Sequence, residues 1–364
     1  MANVLILANN DTGLYKFRRE LIEELLSQGN SIYISLPNGD FVQSLIDMGC
    51  IYIDTCIDRR GINPITDLML LKKYFKIIKS IKPDIVITYT IKPNVYGGIV
   101  CRITKTPYIA NITGLGTAIE NHGILQKLTL FLYKLGIKKA NCVFFQNKDN
   151  LKRFKDNGIV GDNIRQVPGS GVNLIQHRFE EYPPDNKIHK FLFIGRIMRD
   201  KGINELLESA KTIKYRYSNV QFDLVGGIEE EYKEILSNYE NNGVIIYHGK
   251  QNDVHSFIKE SNATILPSYH EGVSNALLES ASSGRPILAS RVAGCLETFD
   301  EEITGLGFEV KNSDSLTETI IKFINLPYDK KKLMGINGRK KMEIEFDRRI
   351  VIEAYIEEIY KALT

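Results

Sequence analysis

One local pattern occurs twice in this chain, and it limits the fold more than any other feature. Val4 to Ala8 is a short apolar run, the turn residues Asn9, Asn10, Asp11 and Gly13 follow, and a helical pattern then carries Leu21, Ile22, Leu25 and Leu26 to Gly29. The segment KFLFIGRIMRDKGINELLESAKTI repeats it: an apolar run at Phe191 to Ile194, a loop holding Gly195 and Gly202, and a helical stretch through Leu206, Leu207 and Ala210. Each reads as strand, glycine loop and helix. Two such openings predict two domains, the second beginning near residue 187.

Further apolar runs fall at Ile32 to Leu36, Ile85 to Thr88, Tyr108 to Ile112 and Cys142 to Phe145, separated by helical stretches such as LMLLKKYFKIIKSI. After the second opening they recur at Phe222 to Val225, Val244 to Tyr247, Ala263 to Leu266 and Ile287 to Ala289. Strands alternating with helices predict an α/β fold with a doubly wound parallel sheet in each half, and right-handed crossovers would turn both sets of strand ends toward one cleft. Residues 1–178 form the first expected domain and residues 187–347 the second. Two prolines and a cluster of charges make Phe179 to Lys187 the expected linker. Residues 348–364 carry a helical pattern that would pack back on the first domain. A length of 364 residues suits two cores of roughly 150 to 180 residues each.

The totals remove several classes of function. With 43% hydrophobic and 25% charged residues the chain is globular rather than disordered. Its 47 basic residues stand against 44 acidic ones, a net charge of +3, too even for a protein that grips nucleic acid by charge. Cys50, Cys56, Cys101, Cys142 and Cys295 are odd in number and scattered, which fits neither a zinc site nor a disulfide framework and points to the reducing cytoplasm. The opening residues MANVLILANNDTG carry no basic n-region and turn polar after Ala8, and no stretch approaches the roughly 20 apolar residues of a membrane span. Any membrane contact is expected to be peripheral, on the inner face of the plasma membrane.

Familiar phosphate-binding and metal-binding motifs are missing. Neither half offers a full Gly-x-Gly-x-x-Gly after its first strand, the GLGTAI stretch at Gly114 lacks the third glycine, and there is no Walker loop or Asp-x-Asp pair. Anion binding is therefore expected from side-chain cations and backbone amides, without a metal. GRIMRDKG places Arg196 and Lys201 in the loop after the second domain's first strand, where α/β proteins place ligands. A planar guanidinium can take two phosphate oxygens, and a lysine adds a mobile point charge. The bland alternative is a pair of solvated loop cations.

The segment HEGVSNALLESASSG, His270 to Gly284, adds two carboxylates to this picture. Ser274 is the expected cap of a helix starting at Asn275, with Gly284 and Pro286 ending it. Leu277, Leu278 and Ala281 would face inward, leaving Asn275, Glu279 and Ser282 as a polar strip with no lysine or arginine. Amides at the helix start can receive a phosphate, and the Glu279 side chain tilts toward that same end. One carboxylate can accept both hydroxyls of a ribose; as a solvated face residue it would accept none.

Gly195, Arg196, Lys201 and Gly202, then Glu271, Gly272, Asn275, Leu278, Glu279 and Ala281, then Gly284, Pro286 and AGCLET, resemble the signature of family 4 glycosyltransferases, retaining enzymes with two Rossmann-like domains in the GT-B fold. The resemblance implies that Glu271 contacts the donor sugar and Glu279 the nucleotide ribose. It implies that Arg196 and Lys201 hold the diphosphate with the Gly13 loop of the first domain closing over it, and that Gly195, Lys250, Gly272, Ser274, Asn275 and Ala276 complete the donor site. YTIKPNVYGG and NITGLGTA resemble the branch that makes capsule and O-antigen glycans on polyprenyl diphosphate, which makes the first domain the expected acceptor-binding one. Two departures stand out. Thr113 and Gly114 occupy the neighbourhood where many members have a donor-contacting histidine, and GCLET replaces Gly-x-Pro-Glu while keeping an acid at Glu297.

The expected activity is transfer of a hexose or N-acetylhexosamine from a UDP-sugar to a polyprenyl-diphosphate-linked or oligosaccharide acceptor, with no cofactor and no metal. LLKKYFKIIKSIK and ILQKLTLFLYKLGIKK are amphipathic and could rest on an anionic membrane, although ordinary core-facing helices read the same way. Two other functions fit the same fold: a nucleotide-sugar 2-epimerase and a non-catalytic sugar-nucleotide sensor. A sensor would keep Glu279 and have no need of Glu271.

Overall fold

The computed structural model describes residues 1–58, 61, 63–114, 123–185, 188–229 and 231–364. The stretch Leu115–Ile119 of GLGTAI, and Asn186 and Lys187 of the expected linker, lie outside them. The chain forms two units, Met1–Ser170 with Arg349–Thr364, and Gly171–Arg348.

In unit 1 the strands β1 (Asn3–Leu7), β2 (Ser31–Leu36), β3 (Ile51–Asp54), β4 (Ile85–Tyr89), β5 (Tyr108–Ile112), β6 (Cys142–Phe145) and β7 (Ile164–Gln166) form a sheet of order β3-β2-β1-β4-β5-β6-β7. In unit 2, β8 (His189–Ile194), β9 (Val220–Val225), β10 (Ile246–Tyr247), β11 (Ala263–Leu266), β12 (Ile287–Ser290) and β13 (Gly305–Phe308) take the order β10-β9-β8-β11-β12-β13. Every pairing is parallel. Parallel sheets are covered on both faces, and β4, β5, β6, β11 and β12 are accordingly buried at every position. Each sheet reverses its winding next to its first strand, between β1 and β4 and between β8 and β11. Those are the switch points at which open α/β sheets leave room for a ligand.

The sequence pattern missed β3, β7 and β13. Ile51–Asp54 and Ile164–Gln166 are edge strands with no fully buried residue, and GLGF in β13 carries two glycines, so none shows a strand-forming apolar run. The division of the chain also differs from the expected linker. It falls at Ser170 and Gly171, and Phe179–Asp185 belongs to unit 2. The reason is Arg285, whose fully buried guanidinium donates to the carbonyls of Glu180, Glu181, Ile258, Lys259 and Gly284 at 2.8–3.2 Å. Tyr182 adds a bond from its hydroxyl to Asn262 O at 3.0 Å. Charges and prolines there mark a strap bound to its domain.

The helix Arg348–Leu363 brings Val351, Ala354, Tyr355 and Ile359 into the core of unit 1. Tyr355 stacks on Phe144 with ring centroids 4.3 Å apart and donates its hydroxyl to Asn111 Oδ1. Arg165 pairs with Glu357 at 2.6 Å and with Glu358 at 3.1 Å.

Candidate functional site

The switch point of unit 2 gathers most of the polar residues that the sequence singled out. Lys201 follows β8 and Glu271 follows β11, and their side chains meet: Lys201 Nζ lies 2.5 Å from Glu271 Oε1, with 17% and 12% of the side chains exposed. The backbone forces this meeting. Gly202 has φ of +70°, and a Cβ there would stand 2.1 Å from the Pro267 carbonyl oxygen, so only glycine lets the two loops touch. Tyr269 N donates to Asp200 O at 2.9 Å, which ties the loops one residue before Lys201 and two before Glu271. Beneath Glu271, a Cβ on Gly294 would stand 2.3 Å from the carbonyl oxygens of Glu271 and Gly272, so the AGCLET turn supports this loop by close backbone approach. Burial, and then the nearby Glu271 charge, push the Cys295 thiol up, with Lys201 opposing.

Arg196 stands apart from this pair. Its guanidinium bonds Glu229 at 2.9 Å and is half exposed, a partner that the sequence pattern did not suggest. Gly195 N donates to Val225 O at 3.0 Å, Ile197 N to Gly227 O at 2.8 Å and Gly226 N to Gly249 O at 2.8 Å. These bonds bring the ends of β8, β9 and β10 together, and a Cβ on Gly227 would lie 4.0 Å from that of Lys250.

The helix Asn275–Ser282 starts where expected, and Ser274 takes the N-cap position. The Ser274 hydroxyl, however, makes no capping bond and the residue is buried, so the first-turn amides of Asn275, Ala276 and Leu277 have no partner from the cap side chain. Leu277, Leu278 and Ala281 are buried as the pattern required. The expected polar strip is shorter than it looked. Ser282 is fully buried and donates to His177 O at 2.6 Å, which leaves Asn275 and Glu279, four residues apart, on one helix face. Asn275 Oδ1 is a buried acceptor without a hydrogen-bond partner, while Glu279 Oε1 lies 3.9 Å from His177 Nε2. His177 comes from a stretch with no periodicity, and no sequence signal marked it.

Gly13 differs from expectation. It belongs to unit 1 and is the third residue of the helix Asp11–Ser27, not a loop residue. Its amide donates to Asn10 Oδ1 at 2.6 Å, so the N-cap side chain already uses the group that would have met a phosphate.

At the switch point of unit 1, Thr90 follows β4 with φ of +73°, a left-handed conformation that is costly for a β-branched residue. Thr90 Oγ1, Tyr89 Oη and Arg18 Nε are buried side-chain atoms without a hydrogen-bond partner. Arg18 is 5% exposed and lies over the rings of Tyr89 and Tyr355, at 5.1 and 5.7 Å. Asn94, from the YTIKPNVYGG stretch, accepts from Thr88 Oγ1 at 2.6 Å and donates to Asn111 O at 2.7 Å, so part of that motif braces β4 against β5. Thr113 accepts through its carbonyl from Gln146, with the Gln146 amide oriented to satisfy both this bond and Arg18.

Comparison with known proteins supplies the family. Residues 3–147 match the model described as Glycosyl transferase 4-like, and residues 175–341 the model described as Glycosyl transferases group 1. The N,N'-diacetylbacillosaminyl-diphospho-undecaprenol alpha-1,3-N-acetylgalactosaminyltransferase of Campylobacter jejuni is 27% identical over 96% of both chains. The capsular polysaccharide biosynthesis glycosyltransferase CapM of Staphylococcus aureus is 30% identical over 81% of both. Among solved structures, the Anabaena HepE protein in complex with UDP and glucose has a TM-score of 0.83 at 15% identity, covering 99% of this chain and 100% of that one. Two Rossmann-like parallel sheets, family models over both halves and a curated relative at this identity lead to one conclusion: the chain belongs to the glycosyltransferases and has the GT-B fold.

Proposed function

We propose that this glycosyltransferase moves a hexose or N-acetylhexosamine, with retention, from a UDP-sugar to a sugar carried on polyprenyl diphosphate. The observation that carries the reading is the Lys201–Glu271 pair at the switch point of unit 2, followed by a helix whose first-turn amides receive no bond from the cap side chain. In this reading Lys201, Arg196 and those amides meet the charge that develops on the leaving diphosphate, Lys250 adds a further cation to the donor site, and Glu271 contacts the sugar. Glu279 accepts the ribose hydroxyls, with Asn275 one turn before it. The bond from the anomeric carbon to the diphosphate breaks as the acceptor oxygen bonds to the same face, and the acceptor proton passes to the leaving phosphate oxygen. No protein nucleophile is used.

The donor is supported by the UDP bound in the Anabaena structure, and the acceptor by the name of the Campylobacter relative. Unit 1 would hold the acceptor at its own switch point, where Thr90 is strained and three buried polar atoms lack partners. An epimerase or a sensor is disfavoured, because the relatives are named as transferases and a sensor leaves Glu271 without a task. The test is transfer from a panel of UDP-sugars to a synthetic polyprenyl-diphosphate sugar. Release of UDP without a lengthened glycan would refute the assignment.

Peripheral membrane contact belongs to the same proposal. No helix among the described residues is long and apolar enough to cross a membrane. The helices Pro64–Ile81, Gly98–Thr104 and Ile124–Ile137 pack side by side on unit 1. Their buried faces serve the core, yet Ile65, Leu68, Met69, Phe75, Ile103, Leu128 and Phe131 are exposed among Lys72, Lys73, Lys76, Lys79, Arg102, Lys127 and Lys134. Apolar side chains amid lysines suit an anionic bilayer. The chain should sediment with phosphatidylglycerol vesicles and lose that binding in Phe131→Ser combined with Lys72→Glu; equal binding to phosphatidylcholine would count against it.

A further inference from the structure

Tyr269 stands two residues before Glu271, and its side chain reaches the element that carries Lys201. The residue is 7% exposed, and its hydroxyl donates to Glu205 Oε1 at 2.7 Å. Glu205 lies in the first turn of the helix Ile203–Arg216, four residues after Lys201, while Asp200, whose carbonyl accepts from the Tyr269 amide, lies one residue before it. A single tyrosine therefore holds the Lys201 turn on both sides, by its main chain before the lysine and by its side chain after it. The ring is covered as well, because Lys311 Nζ, from the loop after β13, lies over it at 4.8 Å. The second oxygen of Glu205, Oε2, is buried and has no hydrogen-bond partner among the described residues. A carboxylate with one buried oxygen unpaired depends on the bond that it does make, so the tyrosine hydroxyl decides where Glu205 and the first turn of its helix lie.

We propose that Tyr269 is a positioning residue for transfer: through its bond to Glu205 it keeps the Lys201 ammonium in register with the Glu271 carboxylate. The two side chains come from loops after different strands, β8 and β11, and meet at 2.5 Å, a contact that a small slip between the loops would break. Misplacing a reacting group by about 1 Å can cost on the order of 100-fold in rate, so a bond that touches no substrate can still govern turnover. The inference rests on the reading of Lys201 at the diphosphate and Glu271 at the sugar, and its test separates the two.

Tyr269→Phe keeps the ring and the amide and removes the hydroxyl alone. Transfer to a synthetic polyprenyl-diphosphate sugar, with the donor that the UDP-sugar panel selects, is measured for wild type, Tyr269→Phe, Lys201→Ala and the double variant, a cycle that isolates the coupling. The kcat should fall about tenfold in Tyr269→Phe and about 100-fold in Lys201→Ala. The double variant should be no slower than Lys201→Ala, since the placing of the lysine no longer matters once the lysine is gone. A tyrosine that only supports the fold would cost the same factor in both backgrounds, and that result overturns the proposal, as does a wild-type rate in Tyr269→Phe. A wild-type rate in Lys201→Ala removes the lysine from the reaction and this proposal with it. Thermal unfolding checks each variant. If Tyr269→Phe does not fold, Glu205→Gln takes its place in the cycle: it leaves the hydroxyl an uncharged acceptor, so a loss of about threefold should appear with Lys201 present and vanish without it. No loss, or an equal loss in both backgrounds, again overturns the proposal.

Discussion

Replacing Glu271 by glutamine keeps the shape of the residue and removes its charge, and the pair with Lys201 makes the consequence calculable. The ammonium sits 2.5 Å from a carboxylate that is 12% exposed, a charge-assisted bond with a net value of about 1.5–3 kcal/mol. An arriving diphosphate must share that ammonium with Glu271. If binding gives up about half of the bond, nucleotide affinity is lowered by about 1 kcal/mol, or roughly fivefold, in the wild type. Glu271→Gln frees Lys201 and should therefore tighten UDP binding by roughly that factor. Transfer should fall by about 100-fold or more, because the carboxylate at the sugar is lost. The split between affinity and turnover is the signature. Calorimetry with UDP and a transfer assay on the same preparation read the two quantities. Parallel loss of both would show that Glu271 grips the nucleotide rather than the sugar, and unchanged transfer would remove it from the reaction.

Two further outcomes can be measured directly. Transfer should survive EDTA, while Arg196→Ala should lower it by about 100-fold; activity abolished by EDTA and restored by manganese would refute charge neutralisation by side chains alone. The Glu180 carboxyl is held down to about 2, first by its bond from His255 and then by Arg178. A depressed carboxyl stabilises the fold above its ordinary value of 4.5, and that contribution is lost as pH falls from there toward 2. At pH 6, Glu180→Gln should therefore cost roughly 1–2 kcal/mol in denaturant unfolding, allowing for solvent screening, and the gap should close as the pH is lowered through that window. A gap that does not narrow would mean the pair adds nothing through charge.

How much of this was legible beforehand depended on whether the physics was local. Apolar runs gave Tyr108–Ile112, Cys142–Phe145 and Ala263–Leu266 with their observed ends, because central parallel strands are apolar on both faces. The helix start at Asn275 was legible for the same reason, since its signals are neighbours in the chain. Contacts over long separations were not. Nothing near residue 201 announces a carboxylate at 271, and nothing in the charged stretch after Phe179 announces that Arg285 holds its carbonyls. Gly13 misled because a glycine after a strand suggests a phosphate loop, whereas Asn10 had turned the same residues into a capped helix. His177 could not be read from the sequence, since its place is set by Ser282 and Arg339, which are more than a hundred residues away.

The return of Arg349–Thr364 to unit 1 bears on the order in which the chain can fold during synthesis. Unit 2 is one continuous stretch and is complete once Arg348 has left the ribosome. Unit 1 is translated first but lacks Tyr355, Ala354 and Ile359 until the final residues emerge, so the rings of Phe144 and Tyr89 wait without their partner. The usual amino-terminal-first sequence is inverted here, because the first half is finished last. A chain truncated after residue 348 and released should then carry a protease-resistant second unit beside a first unit that is still open to cleavage.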